Sequence, residues 1–196
     1  MLNCIGCEIA RGTSNHPFHK IIMNLEGGWL LNHSSESQSY LGHLTITTRE
    51  HRGNWNELTP AEASTLGINI QHIEAMLKQY WTLVFKDDPI ERLYVCYFND
   101  SALAQVHHFH IHLFPRTKSM TKGISWGIVD IQEAQDFNHN YRIYDGENFI
   151  NMESVNNLME YLVKAQRSLD AGYSPEFKSW FVNQYGIPVK NFRSYL

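Results

Sequence analysis

Val106-His107-His108-Phe109-His110-Ile111-His112-Leu113-Phe114-Pro115-Arg116 is the stretch whose reading decides the fold. Four of the chain's 11 histidines fall in it, and three of them, His108, His110 and His112, alternate strictly with Phe109, Ile111 and Leu113. A period of two belongs to a β-strand, whose successive side chains point to opposite faces of the sheet. The three imidazoles therefore share one face, each roughly 6 to 7 Å from the next by the strand rise. Phe109, Ile111 and Leu113 turn the other way, into a core. A merely wet face is better made of Lys, Glu or Thr, which do not set groups that titrate near neutral pH side by side. Two chemical readings stand beside that one. Imidazoles at i and i+2 can reach one zinc ion with a further ligand supplied elsewhere, or a central imidazole attacks as a nucleophile while its neighbours handle charge and protons. His107 lies outside the alternation and reads as a structural residue on the other side.

Around this strand the chain has the composition of a folded domain. With 196 residues, 43% hydrophobic and 18% charged, it is long enough to bury a core and too apolar to be disordered. A net charge of −4 argues against extended nucleic acid as a partner and leaves room for a small anionic substrate. Met1 to Arg11 lacks a basic segment followed by a long apolar run, which predicts no signal peptide, and no apolar run is long enough for a membrane span. Three cysteines, two of them spaced as Cys4-Ile5-Gly6-Cys7, fit a reducing compartment, so a cytoplasmic location is expected. No strand precedes the pair, as a redox motif requires, whereas a zinc site needs two ligands from elsewhere.

Upstream, Trp29 to His33 reads as a strand after a Gly27-Gly28 turn, Ser34 to Tyr40 as a polar loop, and His43 to Thr48 as a second strand. Thr59-Pro60-Ala61-Glu62 is a capping box with Pro at the first helical position. Leu66, Ile70, Ile73, Leu77, Trp81 and Val84 continue it as one apolar stripe that ends by Asp87-Asp88-Pro89. Arg92 to Phe98 is the next strand, with Cys96 read as a buried thiol. Beyond Arg116, Gly123 to Ile131 adds a short strand. Met152 opens an amphipathic helix marked by Val155, Leu158, Met159, Leu162 and Leu169, and Ser174-Pro175 opens a shorter one carrying Phe177, Trp180 and Phe181.

His108-Phe109-His110-Ile111-His112-Leu113-Phe114 resembles the His-φ-His-φ-His-φ-φ signature of the histidine triad family of nucleotide hydrolases and transferases. Cys4-Ile5-Gly6-Cys7 looks like the amino-terminal Cys pair of zinc-binding members, Gly42-His43-Leu44-Thr45-Ile46 like the family's Gly-His strand, and Arg49-Glu50-His51 like the basic residue and His that follow it. The resemblance implies an α+β fold, a five-stranded antiparallel sheet with a long helix packed across it, over residues 1–120. Residues 121–196 would form a helical C-terminal extension packed on the same core or on a partner subunit, and members commonly pair as homodimers.

By the same resemblance, His110 is the nucleophile that attacks an α-phosphate to give a nucleotidyl-histidine, which water hydrolyses. His112 bonds phosphate or bridging oxygens as a proton carrier, and His108 orients the site. Asn32, His43, Asn99 and Gln105 are the substrate-binding candidates. The link from Asn32 to Gly42-His43 is a few residues longer than in typical members, and Ala104-Gln105 replaces the usual Gly-Gln pair. Cys4, Cys7, His51 and His108 would hold a structural zinc, and Mg²⁺ would accompany a polyphosphate. The implied activity is cleavage of an adenine dinucleotide or a nucleoside phosphoramidate. The rival reading is a low-turnover nucleotide-binding or zinc-stabilised interaction module.

Overall fold

The alternating stretch forms an interior strand of a five-stranded antiparallel sheet. In the computed structural model, residues 4–35, 39–98, 107–120, 124–125, 128–129, 141, 143–145, 148–149 and 151–170 are described. In chain order come helix α1 (Ile5–Arg11), strands β1 (Met23–Leu25), β2 (Trp29–His33) and β3 (Leu44–Thr48), helix α2 (Pro60–Val84), and strands β4 (Ile90–Cys96) and β5 (His110–Thr117). Two minimal hairpins follow, β6 (Ile124–Ser125) with β7 (Ile128–Val129) and β8 (Tyr144–Asp145) with β9 (Asn148–Phe149), and then helix α3 (Met152–Asp170). The main sheet runs β1-β2-β3-β5-β4. No described helix is long and apolar enough to cross a membrane.

Register divides the sheet into two chemical faces. Phe109, Ile111 and Leu113 are buried beside Trp29, Leu31, Leu44 and Ile46 in one hydrophobic cluster. The opposite face carries the histidines. Thr47 stands across from His110 and Thr45 across from His112, Asn32 pairs with Thr45, and Cys96 pairs with His112 on the other flank. Directly paired residues share a face. Four strands thus contribute to the histidine face.

The capping box forms as read: Thr59 accepts the Glu62 backbone N–H at 3.2 Å and the Glu62 carboxylate accepts the Thr59 N–H at 2.6 Å. Leu66, Ile73, Met76, Leu77, Tyr80 and Trp81 bury one side of α2. Val84 does not join them and is 43% exposed. The helix also stops earlier than Asp87-Asp88-Pro89, because Phe85 leaves helical geometry and packs against Trp81 and Tyr141. On α3, Val155, Leu158, Tyr161, Leu162 and Ala165 enter the same cluster as the sheet. Leu169 and residues 171–196, including Phe177, Trp180 and Phe181, lie outside the described side chains.

The sequence reading missed β1 and α1, as well as the β8–β9 hairpin. β1 is three residues long with a polar centre, too short to show a period. It pairs with β2 through Glu26-Gly27-Gly28, where Gly27 has φ +78° and sits so close to α2 that a Cβ would lie 2.7 Å from the Ala61 carbonyl. α1 has seven residues and starts at Cys4. β4 is displaced toward the amino terminus by two residues relative to Arg92 to Phe98, and Cys96 is half-buried rather than buried.

His33 faces the core and is wholly enclosed, its Nδ1–H donating to the Ser34 carbonyl at 2.9 Å and its Nε2 accepting the Gly42 N–H at 3.2 Å. Removal from water lowers its pKa from 6.5 to about 4, against the Ser34 bond, which raises it. Between those values the unfolded chain binds a proton that the folded chain does not, so stability falls as pH drops below about 6.5. For this one group the total is about 3 kcal/mol. Urea midpoints from pH 7 to 4.5 are expected to fall more steeply for the wild type than for His33→Gln; parallel curves would refute this assignment.

Candidate functional site

Four ligand-bearing side chains meet at one end of the histidine row. Cys4 caps α1 and Cys7 stands three residues on, on the same side of the helix. His51 follows β3, and its loop is tied to the histidine strand by the Phe109 N–H donating to the Arg52 carbonyl at 2.6 Å. Arg52 in turn pairs with Glu62 at 3.2 Å. The Nδ1 atoms of His51 and His108 lie 3.5 and 3.3 Å from the Cys4 Sγ, and 3.5 and 3.6 Å from the Cys7 Sγ. All four ligand atoms fall within 4.8 Å of one another. Tetrahedral zinc, with bonds near 2.3 Å to sulfur and 2.05 Å to nitrogen, holds the two atom types roughly 3.5 Å apart. These separations are the edges of a coordination tetrahedron.

The surroundings fit that group. His108 Nε2–H donates to the Thr48 carbonyl at 2.8 Å, which fixes the tautomer and leaves the Nδ1 lone pair facing the thiols. Burial and the neighbouring Cys4 thiol push the Cys7 thiol up, a cost that a bound dication reverses. Gly6 has no room for a side chain: a Cβ there would lie 2.3 Å from the His108 ring. α1 is too short to stand alone. Burial of Ile9 contributes about 1.5 to 3 kcal/mol, less than the cost of ordering seven residues at about 1 to 2 kcal/mol each. A structural zinc, worth on the order of 10 kcal/mol, changes that balance.

His110 comes next. Its Nδ1–H donates to the His108 carbonyl at 2.8 Å, so Nε2 keeps its lone pair. The ring is half-buried, 4.7 Å from that of His112. His112 is 97% enclosed, and burial followed by the proximity of His110 lowers its pKa to about 3. Its Nδ1 lies 3.0 Å from His43 Nε2, and His43 Nδ1 lies 3.0 Å from the Ser39 hydroxyl. Burial first, then His112, His33 and His110, drive the His43 pKa well down. The resting pair is therefore neutral.

The other candidates divide. Asn32 is 3% exposed on the histidine face; its Nδ2 donates to the His33 carbonyl at 3.1 Å, and its Oδ1 has no hydrogen-bond partner among the described residues. Asn99 and Gln105 lie outside the described residues. His107 does not turn away as its position predicted: it precedes β5, and its ring stands 5.7 Å from that of His110. Arg116 pairs with Glu91 at 2.9 Å. Sequence reasoning missed Thr48, Gly6 and Ser39. Gly6 left a trace as the residue just before Cys7; the other two act through single atoms of ordinary residues.

Metal quantification is expected to find one zinc per chain in the wild type and a loss of at least about tenfold in affinity in Cys4→Ser and Gly6→Ala. Unchanged zinc in Cys4→Ser would refute the site; unchanged zinc in Gly6→Ala would refute the close approach of α1 to His108.

No family model matches the sequence, and no curated protein matches it. Solved structures do. A zinc-bound histidine triad family protein from Mycobacterium smegmatis superposes with a TM-score of 0.50 at 15% identity, over 87% of this chain and 97% of that one. A hypothetical histidine triad nucleotide-binding protein from Sulfolobus tokodaii strain 7 gives 0.50 at 16% identity, over 85% and 93%. At these identities the likeness is one of fold. By fold, then, this chain has the architecture of the histidine triad proteins, with its three alternating histidines set in and just before an interior strand of the sheet.

Proposed function

We propose that the chain is a nucleotide hydrolase or nucleotidyl transferase that cleaves at the α-phosphate of an adenine dinucleotide or a nucleoside phosphoramidate. One observation carries the reading: His110 donates its Nδ1–H to the His108 carbonyl, so the neutral form of this half-buried ring presents its lone pair at Nε2. An imidazole held so is a nucleophile at neutral pH. Asn32 supports it, because a buried amide oxygen without a partner on the same face is an acceptor suited to a ribose hydroxyl.

His110 Nε2 attacks phosphorus, forming the N–P bond as the bond to the leaving group breaks and the electron pair departs with that group. His112 is neutral at rest, so the proton it gives to a leaving group is one acquired beside the anionic substrate, whose charge favours the imidazolium. Water then attacks phosphorus, the P–N bond breaks with its pair returning to His110, and the water proton passes to His112. His108 orients the nucleophile through its carbonyl. The zinc of the Cys4, Cys7, His51 and His108 site, which the zinc-bound relative of the same fold also favours, is closed and structural. Mg²⁺ enters only as the counter-ion of a polyphosphate, and a homodimer in the cytoplasm is the proposed setting.

The test is AMP release from a dinucleoside polyphosphate, an adenosine phosphoramidate and an ADP-sugar. Release from at least one is expected, falling by at least about a thousandfold in His110→Ala. Asn32→Ala is expected to raise KM about tenfold with a smaller change in kcat. Binding of nucleotide with no release from any of the three would replace this reading with that of a binding module.

A further inference from the structure

Behind His112 the structure places groups that the nucleophile's own geometry does not require. Ser39 and Ser34 belong to the loop between β2 and Gly42-His43, and both are enclosed, 1% and 2% exposed. His43 is 1% exposed and His112 3%. Ser39 Oγ–H donates to Ser34 Oγ at 2.7 Å. A hydroxyl has one hydrogen, so Ser39 meets His43 Nδ1, 3.0 Å away, as an acceptor. His43 therefore carries its proton on Nδ1 and offers a lone pair at Nε2. That lone pair faces His112 Nδ1 at 3.0 Å, and the proton there must belong to His112. The consequence is a neutral His112 with Nδ1–H and a lone pair at Nε2.

We propose that Ser39 is a positioning residue of the histidine row: by accepting the His43 Nδ1 proton it sets the tautomer of His43, and through it holds neutral His112 with its proton on Nδ1 and its lone pair on Nε2. The loop is fixed for this task. The Tyr40 hydroxyl donates to the Pro115 carbonyl at 2.9 Å, and the Leu41 N–H donates to the Tyr141 carbonyl at 2.8 Å. With the Ser39 oxygen removed, the His43 proton loses its acceptor and moves to Nε2, where it donates to His112. The His112 proton then shifts to its own Nε2, and the ring no longer accepts from water.

For its kinetic consequence the proposal rests on the nucleotidyl-transfer reading. In the wild type an imidazolium at His112 keeps its Nδ1–H on the His43 lone pair, whereas in the variant that proton would meet the His43 Nε2–H, so donation of a proton to the leaving group weakens. Hydrolysis of the nucleotidyl-histidine weakens through the same ring, since water gives its proton to His112 Nε2 as its oxygen bonds to phosphorus and the P–N bond breaks. A loss of this kind slows turnover on the order of tenfold to a hundredfold.

Two measurements on Ser39→Ala decide it. Nitrogen-15 spectra of the histidine rings, taken without substrate, are expected to show His43 and His112 as Nδ1–H tautomers in the wild type and as Nε2–H tautomers in the variant. Turnover of an adenosine phosphoramidate is expected to fall about tenfold to a hundredfold in kcat in the variant, with KM within about twofold. Identical tautomers in the two proteins, or an unchanged kcat in the variant, would overturn the proposal. A wild type that turns over nothing would refute the functional reading alone, since the spectra still decide the role of Ser39. If Ser39→Ala does not fold, Ser39→Cys, whose sulfur is a weaker acceptor, is expected to show the same changes to a smaller degree, and its failure to do so would count equally against the proposal.

Discussion

The bond from His108 Nε2–H to the Thr48 carbonyl is the interaction on which the site depends. A carbonyl only accepts, so the bond removes any choice of tautomer and aims Nδ1 at Cys4 and Cys7. The carbonyl of the same residue receives the His110 Nδ1–H. One residue thus closes the metal corner with its ring and orients the nucleophile with its backbone. A hydrogen bond of this kind contributes only about 1 kcal/mol to stability; its larger effect is to select one of two ring states that differ completely in chemistry.

The sheet makes this possible by separating its faces. Because side chains alternate, a slip of one residue between β3 and β5 would turn His110 and His112 into the core and Ile111 toward the substrate. The burial of Phe109, Ile111 and Leu113 against Leu44, Ile46 and α2 forbids that slip. Hydrophobic packing on one side therefore fixes the alignment of imidazoles on the other.

Legibility followed the range over which each feature is encoded. The histidine strand shows in eleven consecutive residues and the long helix in its capping box and stripe, since both obey a local period. β1 and α1 are too short to display one. The Cys pair and its two histidine partners could be named from resemblance, but the reason they meet lies in the Arg52 and Phe109 backbone bond and in the close approach to His108 that Gly6 allows, both of which join segments far apart in the chain. Ser39 was one serine in a Ser-rich loop. His107 reads as facing away, yet its ring stands beside that of His110, a contact that no local period encodes.

The bond between Leu41 and the Tyr141 carbonyl has a consequence for how the protein is made. Synthesis runs from the amino terminus, and all five strands of the sheet have been translated once Thr117 is in place. The loop that supports His43 then has its Tyr40 anchor at Pro115 but still lacks the one at Tyr141, and the α3 residues that complete the core come later still. A nascent chain can thus pair its strands before the histidine row has its final surroundings, and the last part of the site to be secured is the serine loop behind His112.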